Sequence, residues 1–133
     1  MTTLLAHIRI KPGKEEKWEA IMHDMVTQTF ATEQGVVRYE YWKGQTENAY
    51  YCLLSFADKW TFYAHQMSEH HEGHDFADVL AGIELEYVDP VQGAGGGLCA
   101  TLDPVLPGNA SAEMRTAQAR FPLAIPSWWS RPK

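Results

Sequence analysis

The chain has 133 residues, 45% of them apolar, and a net charge of −6 with its histidines neutral. That length favours a single domain with its own core, and the acidic balance excludes nucleic acid and anionic membranes as general partners. No apolar run reaches the roughly 18 residues of a membrane span, the N-terminus MTTLLAHIRIKPG lacks a signal-peptide h-region, and Cys52 and Cys99 form neither a CxxC clip nor a disulfide framework. A soluble cytoplasmic protein is expected.

Residues 3–11 read as a strand stopped by Pro12-Gly13. Residues 14–33 follow as a helix. Trp18, Ile21, Met22, Met25, Val26 and Phe30 recur on one stripe, Glu15, Glu16 and Glu19 lie where the dipole favours them, and Gly35 ends the helix. Residues 36–43 and 49–56 are β-branched and aromatic, and the turn between them predicts a hairpin. Asp58 is placed to cap a short helix from Lys59 to about Met67. Ser68 is placed to cap another over about residues 69–81, closed by Gly82. Residues 83–88 alternate as a last strand.

The order β-α-β-β-α-β specifies an α+β, ferredoxin-like fold with four antiparallel strands and helices on one face. Tyr39, Tyr41, Tyr51 and Leu53 are expected on the opposite face, where a second copy of the sheet would cover them and make a homodimer.

Composition changes near residue 90. Residues 1–90 hold fifteen acidic and seven basic residues, whereas residues 91–133 hold two acidic and four basic ones. The sequence therefore divides into a compact domain, 1–90, and an irregular Gly/Pro-rich extension, 91–133. The run Gly93-Ala94-Gly95-Gly96-Gly97-Leu98 is not a dinucleotide fingerprint, because neither the sixth glycine nor a following helix is present. It reads as a linker. Asn109 or Ser111 is placed to cap a short helix through Arg120. The basic charge of the extension and Trp128-Trp129 predict that it packs back on the domain or the partner subunit.

Four of the six histidines, His65, His70, His71 and His74, fall within ten positions. On a continuous helix from Glu69, His70 and His74 would share a face, as zinc ligands can. However, HExxH is absent, no Cys or His clip elsewhere completes a ligand set, and Gly73 weakens the helix. No functional metal is expected, and His71 and His74 are read as a solvated face.

The chain resembles the antibiotic biosynthesis monooxygenase domains of the dimeric α/β-barrel superfamily. The resemblance rests on the Lys11–Glu16 entry KPGKEE, the Gly35-x-x-Arg38-Tyr39-Glu40 strand, the hairpin into Ser55-Phe56-Ala57-Asp58, and His65-x-x-x-x-His70 with Phe76 beyond. It covers residues 3 to about 90. It implies a homodimer with a small-molecule pocket in each subunit between sheet and helices. Members include cofactor-free monooxygenases of aromatic phenols, heme-degrading monooxygenases and signal isomerases.

On this resemblance His65 and His70 border the pocket as acid–base candidates, able to take a proton from a phenol and return it. Phe56, Trp60, Cys52, Tyr39 and Tyr41 are the candidate substrate wall. No cofactor is expected. A heme-binding alternative would use His74 or His70 as iron ligand, and a further alternative is a non-catalytic binding or stress-response dimer. The chain departs from the pattern at Leu54, where many members carry glutamate, and its extension has no counterpart.

Overall fold

The computed structural model describes residues 1–94, 99–127 and 129. Along the chain run β1 (Thr2–Ile10), α1 (Glu15–Thr32), β2 (Val36–Lys43), β3 (Ala49–Phe56), α2 (Lys59–Gln66), α3 (Glu69–Glu72), α4 (Phe76–Val79), β4 (Leu80–Val88) and α5 (Ala112–Arg120). The strands form one open antiparallel sheet in the order β2-β3-β1-β4. This is the ferredoxin-like arrangement that the element order specifies.

Strand alternation builds the core. Leu4, Ala6, Ile8 and Ile10 of β1 and Tyr50, Cys52, Leu54 and Phe56 of β3 are buried against Trp18, Ile21, Met22 and Met25 of α1 and Phe62 and Tyr63 of α2. Each large apolar side chain so buried contributes about 1.5–3 kcal/mol before entropy is counted. The stripe on α1 continues through Thr29, which is fully buried, and not through Phe30, which is 54% exposed. Thr29 lies four residues beyond Met25 on the same face, whereas Phe30 is turned a further 100° or so around the helix.

The tyrosines of β2 face the opposite way from the expectation. Register slips between Val36 and Arg38, so that Val36 pairs with Phe56 but Arg38 pairs with Ser55. The extra residue inverts every side chain after it. Tyr39 and Tyr41 therefore lie opposite Leu54 and Cys52, on the helix side. Leu5, His7, Trp42, Tyr51 and Leu53 occupy the other face, where Trp42 is 57% and Tyr51 39% exposed.

No helix spans residues 69–81. A single turn, α3, ends at Gly73, and Asp75 then caps α4 by accepting from the Asp78 N–H. Leu80 already belongs to β4, and Gly82 pairs with Arg9 inside the strand instead of closing a helix. As expected, α2 is capped by Asp58, whose carboxylate accepts from Thr61 N–H at 2.9 Å.

The described part of the extension lies on the domain. Ser111 caps α5, which packs against α2. The Tyr87 hydroxyl donates to Phe121 O at 3.1 Å, and Arg120 pairs with Glu72 at 3.5 Å. Lys59 is buried in the core of this contact and pairs with Asp103. Asp103→Ala would leave that ammonium unpaired and should cost about 1–3 kcal/mol of stability, less than a fully buried pair because Asp103 is half exposed. Urea denaturation would read it, and an unchanged midpoint would show that Lys59 finds water instead. The glycines at 95–97 and Trp128 lie outside the described residues. No helix among the described residues is long and apolar enough to cross a membrane.

Candidate active site

A cavity of about 300 Å³ lies between the sheet and the helices. Its walls come from Ala6 and Ile8, Trp18 and Met25, Tyr39 and Tyr41, Cys52 and Leu54, with Phe76, Leu80, Ile83, Leu85 and Phe121 around the edge. Ile83 and Leu85 sit on the edge strand and stay 53% and 36% exposed, so the cavity borders solvent along β4. An apolar cleft with few polar groups is the usual form of a small-molecule site.

The polar groups come from α1 and the α2–α3 segment. His65 is completely buried, and both it and His71 line the cavity. Glu33 follows α1 as its C-cap. The chain then reverses at Gly35, whose φ of +78° suits glycine, and Gly35 O accepts from Ala57 N–H at 2.7 Å. That bond ties the end of α1 to the start of α2 and brings Glu33 onto His65. His65 Nδ1 lies 3.2 and 3.1 Å from the two Glu33 oxygens. His70 Nε2 lies 2.6 Å from Glu33 Oε2 and 3.1 Å from Thr29 Oγ1.

A carboxylate only accepts hydrogen bonds, so His65 Nδ1 carries the hydrogen. His65 Nε2 is then left with its lone pair, buried and unpartnered. The ring is fixed by Tyr39 at 4.9 Å, edge-on, and by Phe56 at 5.4 Å. His71 Nδ1 and Trp18 Nε1 are likewise buried without partners.

Electrostatics separates the titratable groups. Burial alone would raise the Glu33 carboxyl, but the His65 hydrogen bond and the charges that His65 and His70 can carry outweigh it and hold the group below its ordinary value. Burial, reinforced by the neighbouring His65 and His70, lowers His71 to about 3. Burial pushes the Tyr39 and Tyr41 phenols and the Cys52 thiol well up, so all three stay protonated. The phenols bond each other at 2.8 Å.

Of the residues expected from the sequence, His65, Cys52, Tyr39 and Tyr41 line the cavity. His70 stands behind His65 at the carboxylate. Phe56 supports the His65 ring from the core. Trp60 lies away from the cavity, beside Tyr63 and under the Lys59 ammonium. His74 bonds Asp24 at 2.9 Å, outside the cavity. His71 does not belong to a solvated face, because the break at Gly73 lets α3 turn it inward. Glu33 and Trp18 were not anticipated as site residues. Glu33 is more than thirty residues from either histidine, and only the close of α1 against α2 joins them.

Several solved structures share this fold. A Caulobacter crescentus protein is 23% identical, with a TM-score of 0.63 over 68% of this chain and 90% of that one. A Bacteroides thetaiotaomicron protein is 21% identical, with a TM-score of 0.64 over 74% and 93%. A Pseudomonas aeruginosa protein is 20% identical, with a TM-score of 0.61 over 68% and 93%. The first two bear the name antibiotic biosynthesis monooxygenase. No curated protein sequence matches the chain. The family model for antibiotic biosynthesis monooxygenases matches residues 1–74, more than half of the chain, and the protein belongs to that family.

Proposed function

We propose that the protein is a cofactor-independent monooxygenase of a small, electron-rich aromatic or quinol-like substrate, with His65 as the proton-transferring base. The observation that carries this is the Glu33–His65 pair. It leaves one unpartnered imidazole nitrogen in the wall of an apolar cavity. His71, Tyr39, Tyr41 and Cys52 are held in forms that accept a proton poorly.

At a benzylic CH₂ made acidic by a flanking ketone or phenol, Nε2 takes one proton. The resulting carbanion passes an electron to O₂, and the radical pair joins through a new C–O bond as a peroxide anion. The imidazolium returns its proton to the terminal oxygen. Loss of the second C–H proton and cleavage of O–O then give a carbonyl and water. One CH₂ and one O₂ become one C=O and one H₂O. Glu33 stabilises the transient imidazolium.

The open sheet face, with Trp42, Tyr51, Leu5 and Leu53, supports a homodimer built by sheet-to-sheet packing. Sedimentation should give twice the chain mass. The heme alternative has less support, because neither His70 nor His74 lines the cavity.

Oxygen uptake tests the activity. Anthrones, which carry such a CH₂, presented to protein stripped of metal by chelator, should consume O₂ above the buffer rate and place one ¹⁸O atom in the product. If no compound does so, yet one raises the melting temperature, the cavity only binds.

A further inference from the structure

We propose that Glu33, His65 and His70 form a binding site for a first-row divalent cation, with zinc the best match. One ligand atom from each of the three lies within 4.8 Å of the other two. The set is mostly buried: the Glu33 side chain is 12% exposed, His65 0% and His70 15%. Two imidazoles and one carboxylate are a characteristic donor set for zinc and its neighbours, whereas calcium and magnesium take oxygen.

Charge supports the assignment. Among the described residues, the ion pairs of Glu33 are with these two histidines and with no lysine or arginine. A mostly buried carboxylate facing two imidazoles is neutralised either by a proton on a ring or by a cation that all three share. Cation bonds of about 2.0–2.2 Å set ligand atoms roughly 3.3 Å apart. His65 Nδ1 and Glu33 Oε2 already stand 3.1 Å apart, and His70 Nε2 at 2.6 Å needs only a small rotation outward. The Thr29 hydroxyl, 3.1 Å from His70 Nε2, is placed to support a fourth position.

The site goes beyond the monooxygenase function and bears on it through one atom. A cation on His65 Nδ1 moves the ring hydrogen to Nε2. The cavity then meets a donor in place of a base, so the metal-bound protein is silent in proton abstraction.

Calorimetry with Zn²⁺ on the intact, chelator-stripped chain should give one equivalent per chain. Glu33→Gln and His70→Ala should each weaken binding about tenfold or more, while His74→Ala and His7→Ala leave it unchanged. Imidazole ¹⁵N spectra of the unaltered protein need no variant. They should show Zn²⁺ on Nδ1 of one ring and Nε2 of another. Absence of Zn²⁺ binding, shifts confined to other histidines, or full binding by the Glu33→Gln, His70→Ala double variant would overturn the site. None of these readouts involves turnover, so they stand whether or not the oxygenase activity is found. Oxygen uptake that rose with Zn²⁺ would overturn the predicted silencing.

Discussion

His65→Gln should lower the oxygen-consumption rate by about 10²–10⁴-fold, the contribution of a positioned general base. Glutamine fills much of the same space and keeps a polar end, but it cannot carry the proton between substrate carbon and peroxide. The loss should therefore fall on kcat and leave KM nearly unchanged. Glu33→Gln acts one step behind. The amide can still accept from Nδ1–H but stabilises an imidazolium poorly, and its own N–H₂ can hold the ring in the other tautomer. A loss of about 10–100-fold is expected. In the double variant the second loss should be far smaller than the first, because Glu33 acts only through His65. The control is His74→Ala, whose ring faces Asp24 outside the cavity and should be silent. A His65→Gln rate within a few-fold of the original would place the base elsewhere and remove the basis of the mechanism.

How much of this was legible beforehand depends on the distance over which each feature is decided. Strand and helix order follows from patterns local to a few residues, such as the alternation in AYYCLLSF or the stripe from Trp18 to Met25, and those elements appear where they were expected. Features decided between distant segments were not legible. The bulge at Val37 inverted the predicted facing of Tyr39 and Tyr41, and nothing in VVRYEYWK announces an extra residue. Gly73 did weaken the helix, but the consequence, a single turn that aims His71 inward, depends on Asp75 restarting the chain. Glu33 reads locally as one more charge at a helix end. Its role appears only when the Gly35–Ala57 bond brings α1 and α2 together. The histidine pair carried a signal, since the His65-x-x-x-x-His70 spacing is part of the family resemblance and points to both rings. The inclusion of His71 in the cavity wall did not.

Stability should fall between pH 7 and pH 5 through His71. In the folded state burial and two neighbouring imidazoles lower its pKa from 6.5 to about 3, so the ring stays neutral across that range. In the unfolded chain it takes up a proton below its ordinary value. The unfolded state therefore binds more protons than the folded one, and stability is full above about 6.5 and declines as pH falls toward about 3. One such proton has a limiting slope of about 1.4 kcal/mol per pH unit. Partial exposure of the ring lets solvent reduce this, so a loss of about 1–2 kcal/mol is expected between pH 7 and pH 5. Carboxylates ionise lower, and the depressed Glu33 adds its own loss only as pH falls below its ordinary value of 4.5. His71→Leu keeps an apolar side chain of similar size in the cavity wall and removes the titrating group. Denaturant titrations in chelator at both pH values should show a flatter dependence in this variant. The same slope in both proteins would mean that His71 takes up its proton without unfolding. It would then be an ionised group facing the cavity, and a substrate carrying an anionic oxygen would fit better than a neutral one.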